Sequence, residues 1–251
     1  MSALRARLAA ARADDGFSLT EVLVSMIIFT IIMAAATTLI IGFTKSNGEN
    51  VARQTQIETG RQASETITRT LRTAVMPSQL GCTTCTGWDA FVIGQDFSVQ
   101  FYANIDNPKN TIGPSRVSYT VPTTGAQAGF LIEKKQIPDS NIAGPSGYVY
   151  CDAEASTANA ACKARLRTRI LAKGVQTVAG KALFTYYKAG GVQLVPVSGG
   201  SLTSADLSNV LAVQLSVAVR QSTSLKMKPT RYIQRVTLPN AQSVLRNNEG
   251  S

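Results

Sequence analysis

The sequence predicts an α+β protein in which a long N-terminal α-helix, membrane-spanning in its first half, packs on a C-terminal antiparallel β-sheet head. Two observations carry this. Residues 17–76 hold an uninterrupted helical pattern with no internal proline, and residues 182–239 hold successive runs with the two-residue alternation of strands. A third sets the class of protein. The chain of 251 residues has no histidine and a net charge of +10. Without histidine there is no His-dependent triad and no imidazole general base, which weighs against hydrolase or transferase chemistry. The basic balance favours acidic partners and says nothing about fold.

The first half of the helix is "FSLTEVLVSMIIFTIIMAAATTLIIGF" from Phe17 to Phe43, with Glu21 as its one charge. At 1.5 Å per residue it reaches about 40 Å, beyond the ~30 Å hydrocarbon core of a bilayer. An ordinary secretory signal has a shorter apolar stretch followed by a small-residue cleavage site. Here the run passes into "KSNGE" instead. Arg5, Arg7 and Arg12 precede it, so the N-terminus is expected in the cytoplasm and everything beyond residue 45 outside the membrane. A carboxylate carried into a bilayer costs about 2.5–3.5 kcal/mol on insertion scales and generally has a partner or a role.

The second half, "NVARQTQIETGRQASETITRTLRTAVMP", is amphipathic. Ile67, Leu71 and Val75 recur at i, i+4 and i+8 with Ala63 one turn earlier, while Glu65 and Arg69 stand in the favourable order for an ion pair. Pro77 is expected to end the helix near Met76. The strands follow. Leu211, Val213, Leu215, Val217 and Val219 alternate within 209–220, and residues 182–197 read as a hairpin about Gly190 and Gly191. Residues 230–239 supply a last strand, and 97–103, 116–121 and 129–133 are shorter candidates. Four C-terminal strands with short links suggest an antiparallel meander with one face under the helix.

The stretch "GFSLTEVLV", Gly16 to Val24, resembles the processing site of type IV pilins and pseudopilins. The resemblance implies a pilin-like fold and a leader peptide, 1–16, cut by a prepilin peptidase between Gly16 and Phe17, with N-methylation of the new terminal Phe17. It further implies that Glu21 pairs with a neighbouring subunit's terminal amine during assembly. Ser18 and Thr20 depart mildly from the commonest form of the motif. The implied organisation is a transmembrane and assembly helix at 17–45, an amphipathic helix at 46–76 continuing into the head, and a globular β-rich head at 77–251. "RILAKGV", "LFTYY" and the following Gly190–Gly191 are similar to minor pilins and J-type pseudopilins, which sit at a filament tip. The partners so implied are other pilins or pseudopilins, the prepilin peptidase and an inner-membrane assembly platform. The implied location is the cell membrane, single-pass with the head extracytoplasmic, then a pilus or pseudopilus outside the cell. No cofactor is implied, and the chain is expected not to be an enzyme.

Four cysteines in an exported head point to disulfides. Cys82–Cys85 and Cys151–Cys162 are the favoured pairs, each stapling a polar loop; a four-cysteine zinc site is the alternative, although the second pair does not repeat the C-x-x-C spacing. Finally, "KARLRTRILAK" (163–173) is the densest basic run. Extended, it would place Arg165, Arg167 and Arg169 on one face, a stripe for a polyanion such as DNA in a tip-binding, adhesive or DNA-uptake subunit. The same pattern serves equally as cations guarding a sheet edge. Lys226, Lys228 and Arg231 admit the same two readings.

Overall fold

The structure, a computed structural model, describes residues 18–178, 180–197, 200–220 and 228–240. The chain divides into two compact units, Met1–Val51 and Ala52–Ser251. Helix α1, Leu19–Leu71, is continuous across that division.

In the first unit α1 is solvent-facing at every described residue except the partly covered Ala36. It contains a window of mean hydropathy 2.5, long and apolar enough to cross a membrane. Its threonine hydroxyls from Thr30 to Thr44 bond back to the helix. Thr30 donates to the Ile27 carbonyl, Thr37 to Met33, Thr38 to Ala34 and Thr44 to Ile40 (2.7–2.9 Å). Each of these threonines thus closes on its own helix, which suits an apolar solvent.

In the second unit the helix buries Gln56, Gly60, Ala63, Ser64, Ile67, Thr68, Thr70 and Leu71. Their spacing of three and four residues is one helical face. The expected stripe of Ala63, Ile67 and Leu71 is therefore the packed one. The helix nevertheless stops at Leu71, short of Met76. A turn through Arg72 and Thr73 follows, and the chain joins the end of a strand instead: Val75 N–H donates to the Tyr102 carbonyl, Asn104 N–H to the Thr73 carbonyl, and Ala74 bridges Ala103. Val75 is buried as the pattern demands, but as extended chain rather than helix. Pro77 then opens a short 3-10 turn, Pro77–Leu80. On the exposed face Glu65 is met by Arg61 (3.1 Å), which also holds Glu58 (3.2 Å), rather than by Arg69.

Two antiparallel sheets take the place of the single C-terminal meander. The first runs in sequence order through β1 (Phe91–Gly94), β2 (Ser98–Ala103), β3 (Ser115–Thr120), β4 (Leu131–Gln136) and β5 (Leu166–Ala172). A short helix α2, Ala160–Arg165, leads into β5. The second sheet holds β6 (Phe184–Tyr187), β7 (Gln193–Leu194), β8 (Ala212–Val219) and β9 (Thr230–Thr237), in the order β7-β6-β8-β9. A four-residue helix α3, Ser204–Leu207, precedes β8. The β6–β7 hairpin turns at Gly190 and Gly191, whose φ values of 72° and 75° suit glycine.

One core joins both sheets to the helix. Val99, Phe101, Val117 and Tyr119 come from the first sheet; Phe184, Tyr186, Val213, Leu215, Val217 and Val219 come from the second. All are fully buried, and each large side chain contributes about 1.5–3 kcal/mol by leaving water. The sheets are also tied by main-chain contacts. Leu183 and Phe184 N–H both donate to the Asp96 carbonyl, and the Tyr186 hydroxyl donates to the carbonyls of Gln95 (2.9 Å) and Ser98 (3.2 Å). Along the helix, Gln56 donates to the Val219 carbonyl of β8, Gly60 meets Tyr232 of β9, and Ala74 lies beside β2. The helical face thus runs from the second sheet toward the first.

Candidate assembly helix and basic edge strand

Glu21 stands in the first turn of α1, exposed, where the unsatisfied N–H groups of a helix N-terminus favour an acid. Its own N–H donates to the Ser18 carbonyl (2.9 Å), and the Ser18 and Thr20 hydroxyls lie 2.6 Å apart. No described residue offers Glu21 a cationic partner within its own chain. Gly16 and Phe17, the expected cleavage pair, lie outside the described residues. What the geometry shows is an acid at the head of an uncovered apolar helix.

Residues 11–37 match the family model of the prokaryotic N-terminal methylation motif. That motif is the one of class III signals. The match is consistent with the type IV pilin and pseudopilin family, and the motif supports a subunit processed by prepilin peptidase. It suggests a structural rather than an enzymatic subunit, and with the apolar helix it fits a membrane-anchored pilin. No curated protein and no solved structure matches the chain.

The cysteines are joined as Cys82–Cys85 and Cys151–Cys162. The two pairs stand apart, so the four thiols do not converge on a zinc ion, and no cluster of three or more His, Cys, Asp or Glu exists among the described residues. Cys82–Cys85 closes a loop beside Trp88, which stacks on Tyr102 (5.3 Å between centroids). Asp89 follows in that loop, and burial raises its carboxyl above the ordinary range. Cys151–Cys162 ties the β4–β5 connection to α2. The same connection is held down by Gln136, which donates to the Cys151 carbonyl (2.6 Å), and by Lys134 on Glu154 (2.6 Å).

The basic run does not form the expected stripe of three. Arg165 is the last residue of α2, not part of the strand, and it donates to the carbonyls of Asp139 (2.9 Å) and Ala161 (3.3 Å) while lying 3.9 Å from the Asp139 carboxylate. Arg167 and Arg169 do lie on one face of β5. Pairing with β4 sets Arg169 opposite Glu133 and Arg167 opposite Lys135. Glu133 is buried and takes three partners: the Tyr119 hydroxyl (2.8 Å), Arg169 (3.0 Å) and Lys135 (3.4 Å). Burial, with the Glu133 charge beside it, pushes the Tyr119 hydroxyl up, so it remains a donor to that carboxylate. Arg167 alone of the three has no acidic partner among the described residues.

The run is helix first because Asn159 caps α2, its side chain accepting from Cys162 N–H (2.8 Å), within a segment anchored by the disulfide. Alternation alone cannot show such a cap, although the Asn-x-x-Cys spacing was there to be read. Of the other basic residues, Arg231 and Lys228 are exposed, and Lys226 lies outside the described residues.

Proposed function

We propose that the chain is a minor pilin or pseudopilin, a structural subunit cut between Gly16 and Phe17, N-methylated at Phe17 and assembled through α1. One observation carries the reading: the methylation motif at 11–37 overlaps an apolar helical stretch, exposed from Leu19 to Phe43 apart from the partly covered Ala36, with Glu21 as its one acid. In lipid, Glu21 and the amine freed at Phe17 each lack a counter-charge. Between neighbouring subunits they form a pair whose desolvation takes back much of the Coulombic gain, so the pair sets register more than it adds stability. The partners on this reading are other pilins or pseudopilins, the prepilin peptidase and the inner-membrane assembly platform. The first unit spans the membrane with the N-terminus in the cytoplasm, and the head lies outside the cell once assembled. The size of the two-sheet head supports a special position, at the tip or in priming, over a shaft subunit.

Mass spectrometry of the chain from cells with an active prepilin peptidase tests this. The expected N-terminus is methylated Phe17, and an intact Met1 or Ser2 terminus overturns the reading. Glu21→Ala is expected to leave processing intact and abolish incorporation into filaments. The DNA-uptake alternative has weaker support, because Arg165 and Arg169 are committed to Asp139 and Glu133.

A further inference from the structure

We infer that the open edge of β5 is a docking site for an extended, acidic protein segment that adds a sixth strand to the first sheet. The edge is real in hydrogen-bonding terms. Ile137 N–H donates to the Arg165 carbonyl, and β4 and β5 keep one register from Ile132↔Ile170 to Gln136↔Leu166. In an antiparallel pair, hydrogen-bonded and non-hydrogen-bonded positions alternate. The residues opposite Ile137, Lys135 and Glu133 are therefore bonded inward, and Thr168 and Ile170 turn their N–H and C=O groups away from β4. Among the described residues nothing meets those groups. Arg167, Thr168, Arg169 and Ile170 are all exposed, Ile170 at 43%. Such a row of unpaired donors and acceptors is a template for another strand.

Charge selects the occupant. A strand laid along β5 would place alternate side chains beside Arg167 and Arg169, where Arg167 has no acidic partner and Glu133 is shared between Lys135 and Arg169. Acids at every second position meet that face. The intervening positions meet Thr168 and Ile170, which suits β-branched or apolar residues. A second copy of this chain is a poor occupant. Antiparallel β5 on β5 sets arginine against arginine, and β9, the long edge of the other sheet, carries Arg231 and Arg235. Of the remaining edges, β7 has two residues, and the Gly94 carbonyl of β1 already accepts from Leu202 N–H. The proposal concerns the head alone and stands apart from the assembly reading.

The test uses the full chain in neutral detergent micelles and a fluorescent synthetic peptide of alternating glutamate and valine. Binding is expected by anisotropy, weakening with salt, with slowed amide exchange at Thr168 and Ile170. Thr168→Pro removes one outward N–H without touching the β4 ladder, and is expected to weaken binding about tenfold. The same peptide N-methylated along one edge should lose affinity similarly, with the protein unaltered. Arg167→Glu should reverse the preference toward a lysine–valine peptide. Peptide binding indifferent to both Thr168→Pro and N-methylation overturns the proposal. So does duplex DNA outcompeting the peptide with a dependence on Arg167 but none on Thr168, or a chain dimer that Thr168→Pro dissolves.

Discussion

At Gly60 helix α1 lies close against the Tyr232 ring of the second sheet. A Cβ at that position would stand 2.6 Å from Cδ2 and 2.7 Å from Cε2 of Tyr232, inside any ordinary contact. In an exposed helix, Gly→Ala is worth about 1 kcal/mol in favour of alanine. Overpacking against a ring costs about 1–3 kcal/mol. Gly60→Ala is therefore expected to be neutral to destabilising, by up to about 2 kcal/mol. With Tyr232→Ala in place the ring is gone, and the same change should stabilise by about 1 kcal/mol. The sign reversal is the signature, a coupling of about 1–3 kcal/mol in a double-mutant cycle. Thermal unfolding of the full chain in detergent, followed by near-UV circular dichroism, measures it; each kcal/mol moves Tm by about 2–4 °C at this size. Gly60→Ala stabilising the native background as much as the Tyr232→Ala background would refute the contact.

Two further outcomes follow from the head. Tyr186→Phe leaves the Gln95 carbonyl without its donor at the junction of the sheets, the Ser98 carbonyl keeping Gln95 N–H, and should cost about 1–3 kcal/mol in denaturant unfolding, with a change under about 0.5 kcal/mol counting against the tie. Asp89 has its folded-state pKa raised by burial, so its contribution to stability is fully present below the ordinary carboxyl pKa and is lost as pH rises through the raised value. Asp89→Asn should accordingly raise Tm at neutral pH by a margin that vanishes in acid; a pH-independent difference would remove the titration as its cause.

Much of this protein is local and so legible in its residues. The apolar run and the acid Glu21 are consecutive in sequence, as are Ala63, Ile67 and Leu71 at helical spacing and Val213 to Val219 at strand spacing. Each follows from a periodicity that needs no distant partner. The methylation motif is likewise a matter of neighbours along the chain. What only the tertiary structure decided depends on residues far apart in sequence. Helix α1 stops at Leu71 because the end of β2, some thirty residues on, offers Thr73 and Val75 main-chain partners in Asn104 and Tyr102 that another helical turn would forgo. The Gly- and Pro-rich middle gathers into its own sheet because Phe101, Val117 and Leu131 share one core with Phe184 and Val213. The three arginines separate because Asp139 and Glu133 reach them from other parts of the fold. Hydrophobic period records which side chains are to be buried; which backbone or charge meets them is fixed when the chain closes on itself, and that choice left Arg167 and the edge of β5 open.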